Sequence, residues 1–274
     1  MRFTKGHGTG NDFIVLADPD ARLALSDDAV KALCDRHFGI GADGILRVVP
    51  TGAVPEVAHL AEQAQWFMDY RNADGTAAEM CGNGVRVFAR YLYDEGLATA
   101  TEMAIATRDG IKTVTRVAAD RFAVDMGPAV ITEPAPSSFP VEGAAIEAVQ
   151  VSMGNPHAIL FVDDVASAAV HAVGRAIELQ VPGGTNVEFV RVESRDAVTM
   201  RVWERGVGET LSCGTGACAA AVAAAYSGHT ERRVRVGVPG GQLDIDWTDG
   251  AHVLMTGPAV FVADGEFRAD WLTR

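Results

Sequence analysis

Cysteine is scarce in this chain: four residues in 274, at positions 34, 81, 213 and 218. Four are too few to staple a fold of this length with disulfides. No two of them form a C-x-x-C pair, so a structural zinc site lacks its usual ligand spacing. Long apolar runs are missing as well. The nearest, Ala217 to Tyr226, falls well short of the roughly 18 residues a membrane helix needs. The opening residues, Met1-Arg2-Phe3-Thr4-Lys5-Gly6-His7, carry no apolar core of a secretion signal. A soluble, cytoplasmic protein without a membrane partner is therefore expected. Basic residues are the minority, 23 Lys and Arg against 36 Asp and Glu, for a formal net charge of −13. Phosphate backbones are bound by clustered Lys and Arg, so a nucleic-acid partner is excluded. A small anionic substrate is not, because a local site can differ in sign from the whole surface. What is present is apolar content, 48% against 22% charged, enough for a sizeable core in two domains or one large one.

The chain repeats itself. Cys81-Gly82-Asn83-Gly84, ending at Gly96, matches Cys213-Gly214-Thr215-Gly216, ending at Gly228, at an offset of 213 − 81 = 132. Gly10 to Leu16 lines up with Gly154 to Leu160 at offset 144, and at that offset Gly39 to Val48 meets Gly183 to Val192. Met126-Gly127-Pro128-Ala129 pairs with Thr256-Gly257-Pro258-Ala259. Three matches in the same order point to a duplicated domain, with halves at 1–126 and 127–257. Phe13 to Leu16, Ile159 to Val162, Trp66 to Tyr70 and Val198 to Trp203 read as strands. Asp109-Gly110 and Gly240-Gly241 read as hairpin turns. Ala217 to Tyr226 is apolar all round, the mark of a buried helix. The expected fold class is α/β (α+β). It has two pseudo-symmetric domains, each a curved, mostly antiparallel sheet wrapped around a central helix.

In both repeats the cysteine immediately precedes glycines that open a helix. A helix N-terminus exposes unpaired N–H groups and about half a positive charge. It favours a thiolate, lowering the thiol pKa from ~8.5 to roughly 3.5–7.5, and it suits a carboxylate ligand. Two such cysteines brought to one cleft could exchange a proton on opposite faces of one carbon. Two thiolates would repel, so the working form is one thiolate and one thiol that titrate as a pair. Cys34 and Cys218, inside predicted helices, read instead as buried, inert side chains.

These motifs resemble those of the diaminopimelate epimerase family. They are Gly8-Thr9-Gly10-Asn11-Asp12-Phe13, Gly39-Ile40-Gly41-Ala42-Asp43-Gly44, Phe67 to Asn72, Glu79 to Gly84, Gly154-Asn155-Pro156-His157, Thr185-Asn186-Val187-Glu188, Trp203-Glu204-Arg205-Gly206 and Cys213 to Cys218. The resemblance runs from about Phe3 to Pro258. It implies interconversion of LL- and meso-diaminopimelate, serving lysine and peptidoglycan precursor synthesis, with no pyridoxal phosphate and no metal. It implies a homodimer, and a final strand near Val260 to Arg274, within 258–274, returning to the first domain. Cys81 and Cys213 become the acid–base pair. The N–H groups of Gly82, Asn83, Gly214 and Thr215 hold the reacting carboxylate, with Asn11 nearby. Asn72, Asn155, Asn186 and Arg205 hold the distal end, Glu204 meets its ammonium group, and His157 and Glu204 tune the thiols. Arg205 suits a carboxylate clamp on physical grounds too, since its planar fork can donate twice. Many members carry Gln where this chain has Gly44, so no side-chain contact is assigned there. A proline racemase-like enzyme of another amino acid is the alternative. It usually has His in place of Asn83 and needs no second head-group site, so Glu204-Arg205 speaks against it. Phenazine-biosynthesis isomerase-like proteins lack the cysteine pair. A nucleotide site at Gly6 to Gly10 has the wrong glycine spacing.

Overall fold

The computed structural model describes residues 1–132, 136–247 and 251–268. The Pro- and Ser-rich stretch at 134–140 and the expected final strand thus lie partly outside the described residues. The chain divides into two compact units, one of residues 1–124 with the chain from Pro258 on, the other of residues 125–257. The first division falls inside the strand Arg121–Pro128, two residues before the limit the repeat suggests.

The first unit runs β1 (Arg2–Gly8), β2 (Asn11–Ala17), α1 (Asp27–Cys34), β3 (Gly44–Pro50), β4 (Trp66–Asn72), α2 (Gly82–Asp94), β5 (Glu102–Thr107), β6 (Gly110–Arg116) and into β7 (Arg121–Pro128). Four consecutive apolar residues, Phe13 to Leu16, are buried in β2, as expected of a strand covered on both faces. β1 and β2 are joined by Thr9-Gly10, both at positive φ (50° and 84°), the two-residue turn whose twist matches a hairpin. Thr9 is β-branched and buried there, a strained placement. The pairs β1–β2, β3–β4, β5–β6 and β6–β7 are antiparallel; β2–β3 and β4–β5 are parallel.

The second unit continues with β8 (Val130–Ile131), β9 (Ser137–Val141), β10 (Ala144–Ser152), β11 (Pro156–Phe161), α3 (Val170–Glu178), β12 (Asn186–Ser194), β13 (Ala197–Glu204), β14 (Gly208–Thr210), α4 (Gly214–Tyr226), β15 (Arg233–Val238), β16 (Gly241–Asp246) and β17 (His252–Pro258). Again two pairs are parallel, β11–β12 and β13–β15, among antiparallel neighbours. α3 was not signalled by its sequence, because its N-cap, Ala169, offers no side-chain hydrogen bond. Packing holds it instead: a Cβ on Gly174 would lie 2.6 Å from Trp203 Cβ. The last strand, β18 (Val260–Glu266), pairs antiparallel with β1 in the first unit.

Both central helices have 13 residues and the same ends. Cys81 and Cys213 are the N-caps, each accepting a hydrogen bond from the N–H two residues beyond the first helical glycine. At the C-termini, Gly96 (φ 68°) and Gly228 (φ 74°) take the left-handed conformation. The following N–H groups of Leu97 and His229 reach back to Leu92 and Ala224 carbonyls at 2.8 and 2.9 Å, which satisfies carbonyls the helix leaves open. α4 is buried on all sides from Gly216 to Ala224, and its alanines give the surrounding strands close access.

Candidate active site

In the first unit the Cys81 sulfur lies 3.4 Å from Gly84 N–H and donates to Asn11 Oδ1 at 3.4 Å. Asn11 is held in turn by Asp43, its Nδ2 donating to Oδ2 at 2.8 Å. Asp43 shares Arg36 with Asp12, and Lys5 reaches Asp12 at 2.5 Å. Burial would raise Asp12, but Arg36 and Lys5 outweigh it and hold its carboxyl at about 2. Asn83, buried in the first turn of α2, accepts from Thr9 Oγ1 at 3.1 Å and Arg86 Nη2 at 2.7 Å. Arg86 is itself fully buried and also donates to Gly82 O and Pro258 O. The strained Thr9 is thus anchored to the helix that carries the cysteine. Asn72 stands apart from this cluster in its contacts. It closes a turn at the end of β4, with Nδ2 donating to Thr76 Oγ1 at 3.0 Å. Gly44 is paired with Asn72 across β3 and β4. A Cβ there would lie 2.5 Å from Arg71 O and 2.7 Å from Tyr70 Cε2.

The second unit joins most of its predicted residues into one network. Cys213 Sγ lies 3.4 Å from Gly216 N–H and 3.5 Å from Thr215 Oγ1. Asn155 Nδ2 donates to Thr215 Oγ1 at 3.3 Å, and Asn155 Oδ1 lies 3.1 Å from His157 Nε2. His157 Nδ1 lies 2.7 Å from Glu188 Oε1, both side chains fully buried. Glu204 accepts from Thr210 Oγ1 and from the Cys213 thiol. Among the described residues, hydrogen bonds lead from His157 to the cysteine through Asn155 and Thr215, whereas Glu204 meets it directly. Asn186 faces His157 across β11 and β12. Its Nδ2 donates to Pro156 O at 2.9 Å and its Oδ1 accepts from Arg205 N–H at 3.0 Å. Arg205 is exposed, its guanidinium donating to Gly183 O at 3.3 Å.

The expected lowering of the thiol pKa is overturned at Cys213. Burial pushes that thiol well above its ordinary value, and the carboxylates of Glu204 and Glu188 push it further. Thr215 and the Gly216 N–H act the other way and do not compensate. A helix terminus contributes only a partial charge, and here burial, with two carboxylates behind it, opposes it. Burial likewise raises Glu204, with Glu188 adding to it, against the hydrogen bonds from Thr210 and Cys213. Cys34 is pushed to about 11 by burial, and Cys218 is fully buried; both are inert thiols. Thr210, Arg86 and Glu188 were not assigned roles from the sequence. Glu188 lay inside a quoted motif, but only strand register shows where it points.

Residues 3–132 and 149–262 match the family model of diaminopimelate epimerase. A diaminopimelate epimerase of Streptomyces coelicolor is 49% identical, over 99% of this chain and 97% of its own. That of Thermobifida fusca is 47% identical, over 98% of each. The chain belongs to the diaminopimelate epimerase family. Among solved structures, a probable proline racemase from Agrobacterium radiobacter K84 superposes with a TM-score of 0.71 over 98% of this chain and 93% of that one. At 14% identity that likeness is one of fold: two pseudo-symmetric α/β domains. As a member of the epimerase family the chain is an isomerase acting on a small amino-acid substrate. Among the described residues no helix is long and apolar enough to cross a membrane.

Proposed function

We propose that this protein interconverts LL- and meso-diaminopimelate by moving the α-proton between two cysteines, without a cofactor. One observation carries the reading: each repeat places its cysteine sulfur at the cap of a 13-residue helix, 3.4 Å from a first-turn N–H. First-turn amides have no acceptor within their own helix, so those of Gly82, Asn83, Gly214 and Thr215 are the groups to hold the reacting carboxylate. Charge developing in that carboxylate on proton removal is stabilised by such donors, each typically worth ~3–4 kcal/mol.

Burial divides the labour. Cys213, raised by burial and by Glu204 and Glu188, keeps its proton in the resting protein. Cys81, which donates to Asn11 Oδ1 as a thiol, acts once it has lost that proton: as thiolate it takes the α-proton from one face, and the Cys213 S–H gives its proton to the other. The cycle leaves Cys81 protonated and Cys213 as thiolate, the form that runs the reverse direction. Asn72, Asn155, Asn186 and Arg205 take the distal amino-acid head in this reading, with Glu204 meeting its ammonium. A cytoplasmic homodimer belongs to the same reading; sedimentation at twice the mass of one chain would support it. The test of the reaction is proton NMR of LL-diaminopimelate with the purified protein in deuterated water, with free proline as control. Deuterium entering at one α-carbon of the product is expected. Exchange on proline alone, or none on diaminopimelate, would end the proposal.

A further inference from the structure

The two units share a ladder in which one pair of positions has changed character. In the first, β2 and β3 run parallel with Phe13 opposite Gly44 and Val15 opposite Leu46. In the second, β11 and β12 run parallel with His157 opposite Asn186 and Ile159 opposite Glu188. His157 and Glu188 thus occupy the places of Phe13 and Leu46. The helix confirms the match. A Cβ on Gly84 would lie 3.4 Å from Phe13 and 3.3 Å from Leu46, whereas one on Gly216 would lie 2.5 Å from Glu188 Oε1. An apolar pair fills this place beneath the helix start in one copy of the fold, so folding alone does not call for an acid and a base in the other. The polar pair also carries a cost, because the buried Glu188 Oε2 has no hydrogen-bond partner.

The proton count along the network gives the pair a task. Asn155 turns its NH2 to Thr215 and its oxygen to His157 Nε2, so Nε2 carries a proton. Nδ1 then shares a second proton with Glu188 Oε1 at 2.7 Å. With the Asn155 amide donating to its oxygen, the Thr215 hydroxyl is left to donate to sulfur. We propose that Glu188, acting through His157, is a positioning residue that fixes the Asn155 amide and so keeps the Thr215 hydroxyl donating to Cys213. This rests on Cys213 being one of the two acid–base groups. Without Glu188 the neutral imidazole can hold its proton on Nδ1. The Asn155 amide then rotates to donate to Nε2, Thr215 turns its proton to the Asn155 oxygen, and the Cys213 thiolate loses a donor. The other groups acting on that sulfur are Glu204 on β13 and the Gly216 N–H of α4, which stay as they are, and the charge of Glu188 itself, which pushes the thiol up and is lost in every neutral variant.

The experiment combines histidine 15N NMR with the pH dependence of Cys213 alkylation by iodoacetamide, read by mass spectrometry. Native protein should show His157 protonated at Nε2. Glu188→Ala and Glu188→Gln both remove the carboxylate that pushes the Cys213 thiol up, so the comparison is between the two. The Cys213 midpoint in Glu188→Ala should lie about one pH unit above that in Glu188→Gln, whose amide can donate to Nδ1, the effect of one hydrogen bond, with kcat lower and KM within about twofold of each other. The double variant His157→Phe with Glu188→Leu, which copies the first unit, should fold and show a midpoint as high as that of Glu188→Ala. A bare Nε2 in native protein, a midpoint in folded Glu188→Ala no higher than in Glu188→Gln, or an unfolded double variant would each overturn the proposal. If Glu188→Ala does not fold, loss of the Nε2 proton in Glu188→Gln is equally fatal and its retention is support. Both readouts are independent of turnover, so an absence of diaminopimelate epimerisation would strike the reaction assigned above and leave this result standing.

Discussion

Two cysteines with the same place in the repeat differ in surroundings. Cys81 is partly exposed and donates to an amide oxygen; Cys213 is buried against two carboxylates. Alkylation requires a thiolate and access. Iodoacetamide at neutral pH should therefore label Cys81 before Cys213, and peptide mapping over time reads the order; faster labelling of Cys213 would contradict a buried thiol raised by its surroundings. Arg205 is a different kind of residue, an exposed fork whose stem packs over Gly184, where a Cβ would lie 2.9 Å from its Cγ and Cδ. Lysine can take the charge but not the paired geometry. Arg205→Lys should raise KM for diaminopimelate at least about tenfold with kcat less affected, in steady-state assays. An unchanged KM would remove Arg205 from the distal end.

At the scale of the element, the two capped helices are alike in length and ends but not in tolerance. A methyl group on Gly84 meets neighbours at 3.3–3.4 Å, ordinary to slightly tight contact, while one on Gly216 meets a carboxylate oxygen at 2.5 Å and the Cys213 sulfur at 3.3 Å. Gly216→Ala should cost about 1–3 kcal/mol of stability and most of the turnover, whereas Gly84→Ala should stay close to native in thermal unfolding. Equal effects would mean that Glu188 moves aside freely. The two capped helices and the strands before them are legible because local signals fix them: a glycine after the last turn, an apolar run, and a C-G-x-G element that recurs with its closing glycine at offset 132. The site partners were less so. The offset of 144 aligns His157 correctly with Phe13 but sets Glu188 against Gly44, because the crossover from β11 to β12 is two residues shorter than that from β2 to β3. A slip of that kind is invisible without hydrogen-bond register. The acidity of Cys213 was misread for a related reason: the helix terminus is written next to the cysteine, while Glu188 and Glu204 reach it from other strands.

Taken as a whole the molecule is asymmetric in its buried charge. The first unit holds Asp18 and Asp69 among Arg47, Arg71 and Arg108, both carboxylates nearly inaccessible. Burial alone would raise them, yet arginine partners, together with backbone N–H groups at Asp18, hold both below the usual range, as Arg36 and Lys5 hold Asp12 at about 2. A carboxylate with a lowered folded pKa contributes stability above its unfolded value of ~4, lost as pH falls through the folded value. For Asp12 alone this is about 2 kcal/mol. Glu204 in the second unit is raised, so its contribution runs the other way, present below the unfolded value and lost as pH rises. Acidification from pH 5 to 2.5 should weaken the first unit first. Hydrogen exchange should show β2 to β4 losing protection before β12 and β13, and simultaneous loss would argue against the assignment. Gly44 sets a limit on what its strand can carry. Even a single methyl group there would meet a main-chain oxygen of the neighbouring strand at 2.5 Å and the Tyr70 ring at 2.7 Å, so any side chain at 44 requires the backbone at residues 70–72 to give way first.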